Sequence, residues 1–307
     1  MRAIFILLFI AVVICNASPV RAENTMMQFI IPAPYAQKQI TRDMHISRGG
    51  QLYDNWWRTT LDTEKPDENH PLWKTQKTNK RSGYSTYRCK ECHGWDYLGK
   101  AGAYSKGSHF TGFIGVFEAS RKMSLGELEA ALKGSTNRDH DFSGFLNKSD
   151  ISDLALFLKT GIIDTGKFVD SEGTPVGGDL VAGRDFFWNN CSIMCHNSTG
   201  TAINFKSIEK PEFVATVANK NPWEFIHKIR AGQPGTGMSS GIINKWSEDN
   251  IRDLLGYSRT LPKEEPKLSW FDNILKAMGF REKHQRSFIP DQHRGFGPKI
   301  KRWTGKP

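Results

Sequence analysis

Two short stretches hold the residues best equipped for chemistry. "CKECH", residues 89–93, supplies Cys89, Cys92 and His93, and "CSIMCH", residues 191–196, supplies Cys191, Cys195 and His196. Two thiols separated by two residues, with histidine directly behind, have the spacing of covalent haem attachment. One helical turn puts both thiols on one face, within reach of the two vinyl groups of a haem, and the imidazole follows as an iron ligand. The second stretch carries one residue more between its cysteines. Residues three and four apart are both neighbours on a helix face, so Cys191 and Cys195 can serve one haem if the turn adjusts. Rival readings are a zinc site, a thioredoxin-like pair or plain disulfides. Zinc or a disulfide gives no reason for a histidine behind both pairs, and no βαβ context surrounds either. A Cys191–Cys195 disulfide, a thiol pair without cofactor, or a singly attached haem stay open for the second stretch.

The elements that must hold these residues occur twice, as two copies of one plan at low similarity. The first copy opens near "ISRGGQLYDNWW" (46–57) and the second near "GDLVAGRDFFWNN" (178–190). Each segment reads as a helix with a glycine and, three residues on, an aromatic: Gly50 with Tyr53, and Gly183 with Phe186. The glycine would let another helix approach closely. Each copy closes on apolar residues at spacings of three and four, which predict helices over 148–161 and 247–261. Ser149 and Ser247 are the N-cap candidates, with acidic residues in the turn that follows. A further helix precedes each, over 124–134 and 221–232, and no strand alternation of comparable strength appears. The glycine-rich segment 164–177 reads as a linker, and 62–83 as a long polar insertion in the first copy.

On these residues the chain resembles a fusion of two class I cytochrome c domains, over roughly 46–262. The resemblance implies an all-α fold of two tandem domains, 46–163 and 178–262, each holding one haem c. In that family a helix precedes the haem motif, a ligand loop follows it, and a closing helix packs an aromatic on the first. The family's usual distal ligand is a methionine before the closing helix, and Met238 in "GQPGTGMSSG" fits, nineteen residues before Tyr257. The first copy departs from the pattern. Its loop "STNRDHDFSGF" has no methionine but holds His140, seventeen residues before Phe157. The expectation is a bis-histidine site of His93 and His140, with Met123, His109 or an open position as the alternatives. Trp95 and Tyr97, in the aromatic stretch after His93, are expected to pack on a haem edge.

The ends of the chain add location and partners. Arg2, an apolar run and "VRA" at 20–22 read as a signal peptide over 1–22, followed by an extension over 23–45. Cys15 falls in the signal segment, so of five cysteines the other four remain. No later segment is apolar enough to span a membrane. The expected location is therefore the periplasm or an equivalent lumen, and nucleic acid is not an expected partner. The net charge of +10 can steer an acidic partner. The tail, 263–307, is basic: from Lys267 onward ten Lys or Arg face three Asp or Glu. Residues 268–280 have the spacing of an amphipathic helix, suited to a strap, a protein partner or an anionic membrane surface. Together these features predict a dihaem electron carrier between acidic redox proteins or a membrane-bound respiratory complex. The alternative is a haem enzyme acting on a small sulfur or nitrogen compound, or on peroxide, at an open first haem.

Overall fold

In the computed structural model the described residues are 34–60, 63–265 and 286–287. The signal segment 1–22 and the helix expected over 268–280 lie outside them. The fold is mostly helical. Among the described residues strand is confined to a two-residue parallel pair, Ile203–Asn204 with Arg286–Ser287, and to isolated bridges.

Helix α1 (Pro34–Thr59) starts well before the expected position at 46, takes in part of the expected extension, and is broken at Asn55. The motif "CKECH" forms the short α2 (Cys89–His93). After α3 (Phe117–Lys122) come α4 (Leu125–Leu132) and the closing α5 (Lys148–Thr160). The N-cap of α5 is Asn147, which forms a reciprocal capping box with Asp150, and not the expected Ser149. Asn147 wins because its oxygen reaches the Asp150 N–H while the Asp150 carboxylate reaches back to the Asn147 N–H, so two orphan donors are satisfied together. The second half runs through α6 (Leu180–Phe187), α7 (Val214–Lys220), α8 (Pro222–Ala231) and the closing α9 (Glu248–Ser258). Ser247 caps α9 as expected, in a capping box with Asn250.

Two apolar cores result. The first gathers Leu52, Tyr53, Trp56, Leu128, Leu154 and Phe157, and the second Phe187, Ile226, Ile229, Leu254 and Leu255. The segment read as a linker is part of the second core, since it buries Phe168 and Val169 there. Its glycines and polar residues mask two large apolar side chains, each worth about 1.5–3 kcal/mol when removed from water.

The two copies match in space, but one residue out of the expected register. A Cβ placed on Gly49 would lie 2.0 Å from the Asp153 carbonyl oxygen and 2.6 Å from Phe157 Cβ. One placed on Gly183 would lie 2.1 Å from the Asp253 carbonyl oxygen and 2.9 Å from Tyr257 Cβ. Gly49, not Gly50, is therefore the partner of Gly183. Four residues on, Tyr53 meets Phe157 at 5.9 Å and Phe187 meets Tyr257 at 5.7 Å between ring centres. Positions four apart share a helix face, which is why a glycine contact and an aromatic contact recur at that spacing. Phe186, the expected aromatic, packs edge-on against Trp246 instead.

The halves meet where α8 lies on α1. Ser47 and Gln51 both donate to the Ala231 carbonyl, and Arg230 donates to that of Gly161. Lys228 Nζ sits 2.6 Å from the buried Asp54 carboxylate, which Arg88 also pairs.

Candidate haem sites

The first site is assembled around α2. Cys89 packs against the first core, and burial pushes its thiol up to about 12. Cys92 lies one turn on, its thiol also raised by burial. All four described cysteines are unbridged. His93 Nδ1 is 2.7 Å from the Ile114 carbonyl oxygen. A carbonyl can only accept, so Nδ1 carries the proton and Nε2 keeps its lone pair.

His140 lies next to His93. It ends a single 3₁₀ turn, Arg138–His140, and its Nδ1 donates to the Ala131 carbonyl at 3.3 Å. Its Nε2 is likewise left as an acceptor. The His93 and His140 ring centres are 6.1 Å apart and the planes are inclined by 77°. Rings this close, each with Nδ1 committed to a carbonyl, could both hold one metal centre. Burial, and then the neighbouring His140, lower His93 to about 4, and burial lowers His140 as well. Both rings are then neutral at neutral pH, the form that binds a metal.

Met123 caps the end of α3, its carbonyl accepts from Lys159, and its side chain packs on the first core, as Cys89 does. His109 stacks on Tyr104 at 4.8 Å, with Nδ1 4.0 Å from a Glu91 carboxylate oxygen. Trp95 and Tyr97 are both buried at the boundary between the halves, packed on His227 of α8.

Sequence reasoning missed one histidine here. His70, from the insertion, is buried 6.3 Å from His140, ring to ring, and against Tyr87 and Phe142. Its only flag in the sequence is a lone histidine before Pro71 in a polar stretch. His227 was missed too, inside a segment correctly expected to be helical. Its Nε2 donates to the Gly50 carbonyl and its Nδ1 accepts from the Tyr97 hydroxyl, both at 2.9 Å.

The second site resolves the extra residue. Where the sequence predicts helix to 190, α6 gives way at Trp188 to a π-helix, Trp188–His196, that contains Cys191, Cys195 and His196. A π-helix closes each hydrogen bond one residue later than an α-helix, so each turn holds more residues. Four positions along it therefore turn through nearly what three positions do in α2, so the π turn takes up the inserted residue. Cys191 packs on the second core, as does Met238, and Cys195 is exposed. His196 is buried, which lowers it to about 4. Among the described residues its Nδ1 has no hydrogen-bond partner, unlike that of His93.

Thiol pairs with a following histidine are donors that a haem could use. Among the described residues no three His, Cys, Asp or Glu side chains converge as an ion site. A haem brings four nitrogens of its own and asks the protein only for axial ligands and attachment points. Also among the described residues, no helix is long and apolar enough to cross a membrane. No family model, curated protein or solved structure matches the chain.

Proposed function

We propose that the chain is an exported c-type cytochrome of two class I-like halves, carrying two haems and passing electrons between redox partners. The observation that supports this best is the His93–His140 pair, 6.1 Å apart beside Cys89 and Cys92, each ring with Nδ1 committed to a carbonyl. Haem supplies a reversible one-electron carrier. The chain supplies what tunes it. Cys89 and Cys92 anchor the first group, and Cys191 and Cys195 the second. His93 and His140 would both hold the first group, and a haem held by two histidines would favour electron transfer over substrate binding. His196 with Met238 serves the second, and a thioether ligand favours a higher potential than a second imidazole. With haem in both sites, electrons would pass from the first half to the second. The basic surface suits an acidic redox protein or a membrane-bound respiratory complex in the periplasm.

The test is expression in a host that matures c-type haem, followed by haem quantification, paramagnetic resonance and a redox titration. Two haems are expected, one bis-histidine and one histidine–methionine, the latter at the higher potential. His140→Ala should perturb only the first and Met238→Ala only the second. A colourless protein, or a first-site spectrum unmoved by His140→Ala, would overturn the reading.

A further inference from the structure

His140 has little of its own to hold it. It sits on one 3₁₀ turn between α4 and α5, its ring leans on nearby Phe142 at 5.1 Å, and its side-chain hydrogen bond to Ala131 is long at 3.3 Å. The first half nevertheless carries an additional segment, and that segment packs here. The short 3₁₀ helix Pro71–Thr75 lies against Arg138–His140. At its head His70 is fixed from three sides. Its backbone N–H donates to Thr86 Oγ1 at 2.8 Å, its carbonyl accepts from Trp73, and its Nδ1 takes the Leu72 N–H at 3.2 Å. That last bond makes Nδ1 the acceptor, so the ring is the Nε2–H tautomer, the reverse of His93 and His140. His70 is thus not prepared as a ligand in the way they are. Its ring fills the space between Tyr87, Phe142 and His140.

We propose that His70 is a positioning residue of the first site. Anchored as the N-cap of 71–75, it buttresses the turn that carries His140 and keeps that imidazole beside His93. This rests on reading His93 and His140 as the axial pair. The insertion thereby acquires a purpose, because a distal ligand on a weakly held loop is kept in place by a second, independently anchored segment. Partners one shell away from a metal commonly change affinity by about 10–100-fold when removed.

The experiment uses the full-length haem-loaded protein and the rate and affinity with which added imidazole or cyanide displaces the distal ligand, with the spin state of the first haem recorded alongside. His70→Phe keeps ring bulk but cannot accept the Leu72 N–H. It is expected to bind the added ligand about ten-fold more tightly or faster, with a high-spin fraction appearing at the first haem only. His70→Asn, whose side-chain oxygen can cap Leu72, is expected to recover most of the parent behaviour. Space filling alone would give the opposite order. Thr86→Val, a milder variant, should shift exchange in the same direction as His70→Phe. Parent-like exchange in His70→Phe, or an Asn variant no better than Phe, would overturn the proposal. His140→Ala separates the two failures. If it leaves the first haem unchanged, the axial reading itself is wrong, whereas if it opens that haem while His70→Phe does not, only the role of His70 falls. The second haem's spectrum reports that each variant has folded.

Discussion

The Tyr97 hydroxyl donates to His227 Nδ1 at 2.9 Å across the boundary between the two halves, while His227 Nε2 donates to the Gly50 carbonyl. Both nitrogens are committed in one tautomer of the neutral ring. Burial, opposed by Asp54 and reinforced by Lys228 and Arg230, lowers this histidine from 6.5 to about 4. A depressed histidine favours the folded state only while it is neutral. The linked stability is fully present above pH 6.5 and is lost as the pH falls toward about 4. The shift corresponds to about 3 kcal/mol. Denaturant unfolding at pH 7 and pH 4 should show the parent losing that much more than His227→Gln. Equal losses would refute the assignment.

Asp54 makes a second prediction at the same boundary. Burial would raise its carboxyl, but Lys228 and Arg88 hold it far below the usual carboxylate range. Truncating the shared anion leaves two partly buried cations without their partner. Asp54→Ala should cost roughly 3–5 kcal/mol, and limited proteolysis should cut between the halves more readily. Retained stability would show that the triad contributes little.

The glycine register can be tested against a control in the same protein. Gly183→Ala would push a methyl into the Asp253 carbonyl and should destabilise by about 1–3 kcal/mol. Gly126, inside α4, has no atom within 4 Å of an added Cβ. Gly126→Ala should stabilise by up to about 1 kcal/mol. Thermal unfolding of the pair checks both signs, and the same sign in both would contradict the close crossing of α6 and α9.

The π-helix predicts the outcome of a deletion. Ile193 lies in it and is 67% exposed, so its loss removes no core contact. Deleting it restores two residues between the cysteines, and the segment should return to α-helical pitch with both thiols on one face. Mass spectrometry of the matured protein should still count two haems. Loss of the second haem would mean the π turn is needed for attachment and does not simply accommodate the extra residue.

Much of this was legible locally. Cysteine spacing, the histidine behind each pair, and apolar periods of three and four depend on neighbours within a turn or two, and residues at that range largely decide them. The closing helices α5 and α9 and the Ser247 cap follow from such signals. Other features were not local. Asn147 and Ser149 are both acceptable caps, and the choice fell to whichever could exchange two bonds with Asp150. Phe168 and Val169 looked like linker because glycine and polar neighbours surround them, yet the second core takes them.

The sequence by itself determined the chemistry available: two thiol pairs, two following histidines, and His140 and Met238 as the distal candidates. It also determined the helical grammar that repeats around them. Only the tertiary structure decided which distant groups meet. It set His140 beside His93, stacked His109 on Tyr104, brought His70 in from the insertion, and used His227 to join the halves. It also converted the extra residue of "CSIMCH" into a π turn. The reason is physical. Helical pitch and capping are won or lost within a few residues, but a pairing across tens of residues depends on how whole helices pack, and on a glycine at the one position where two backbones touch.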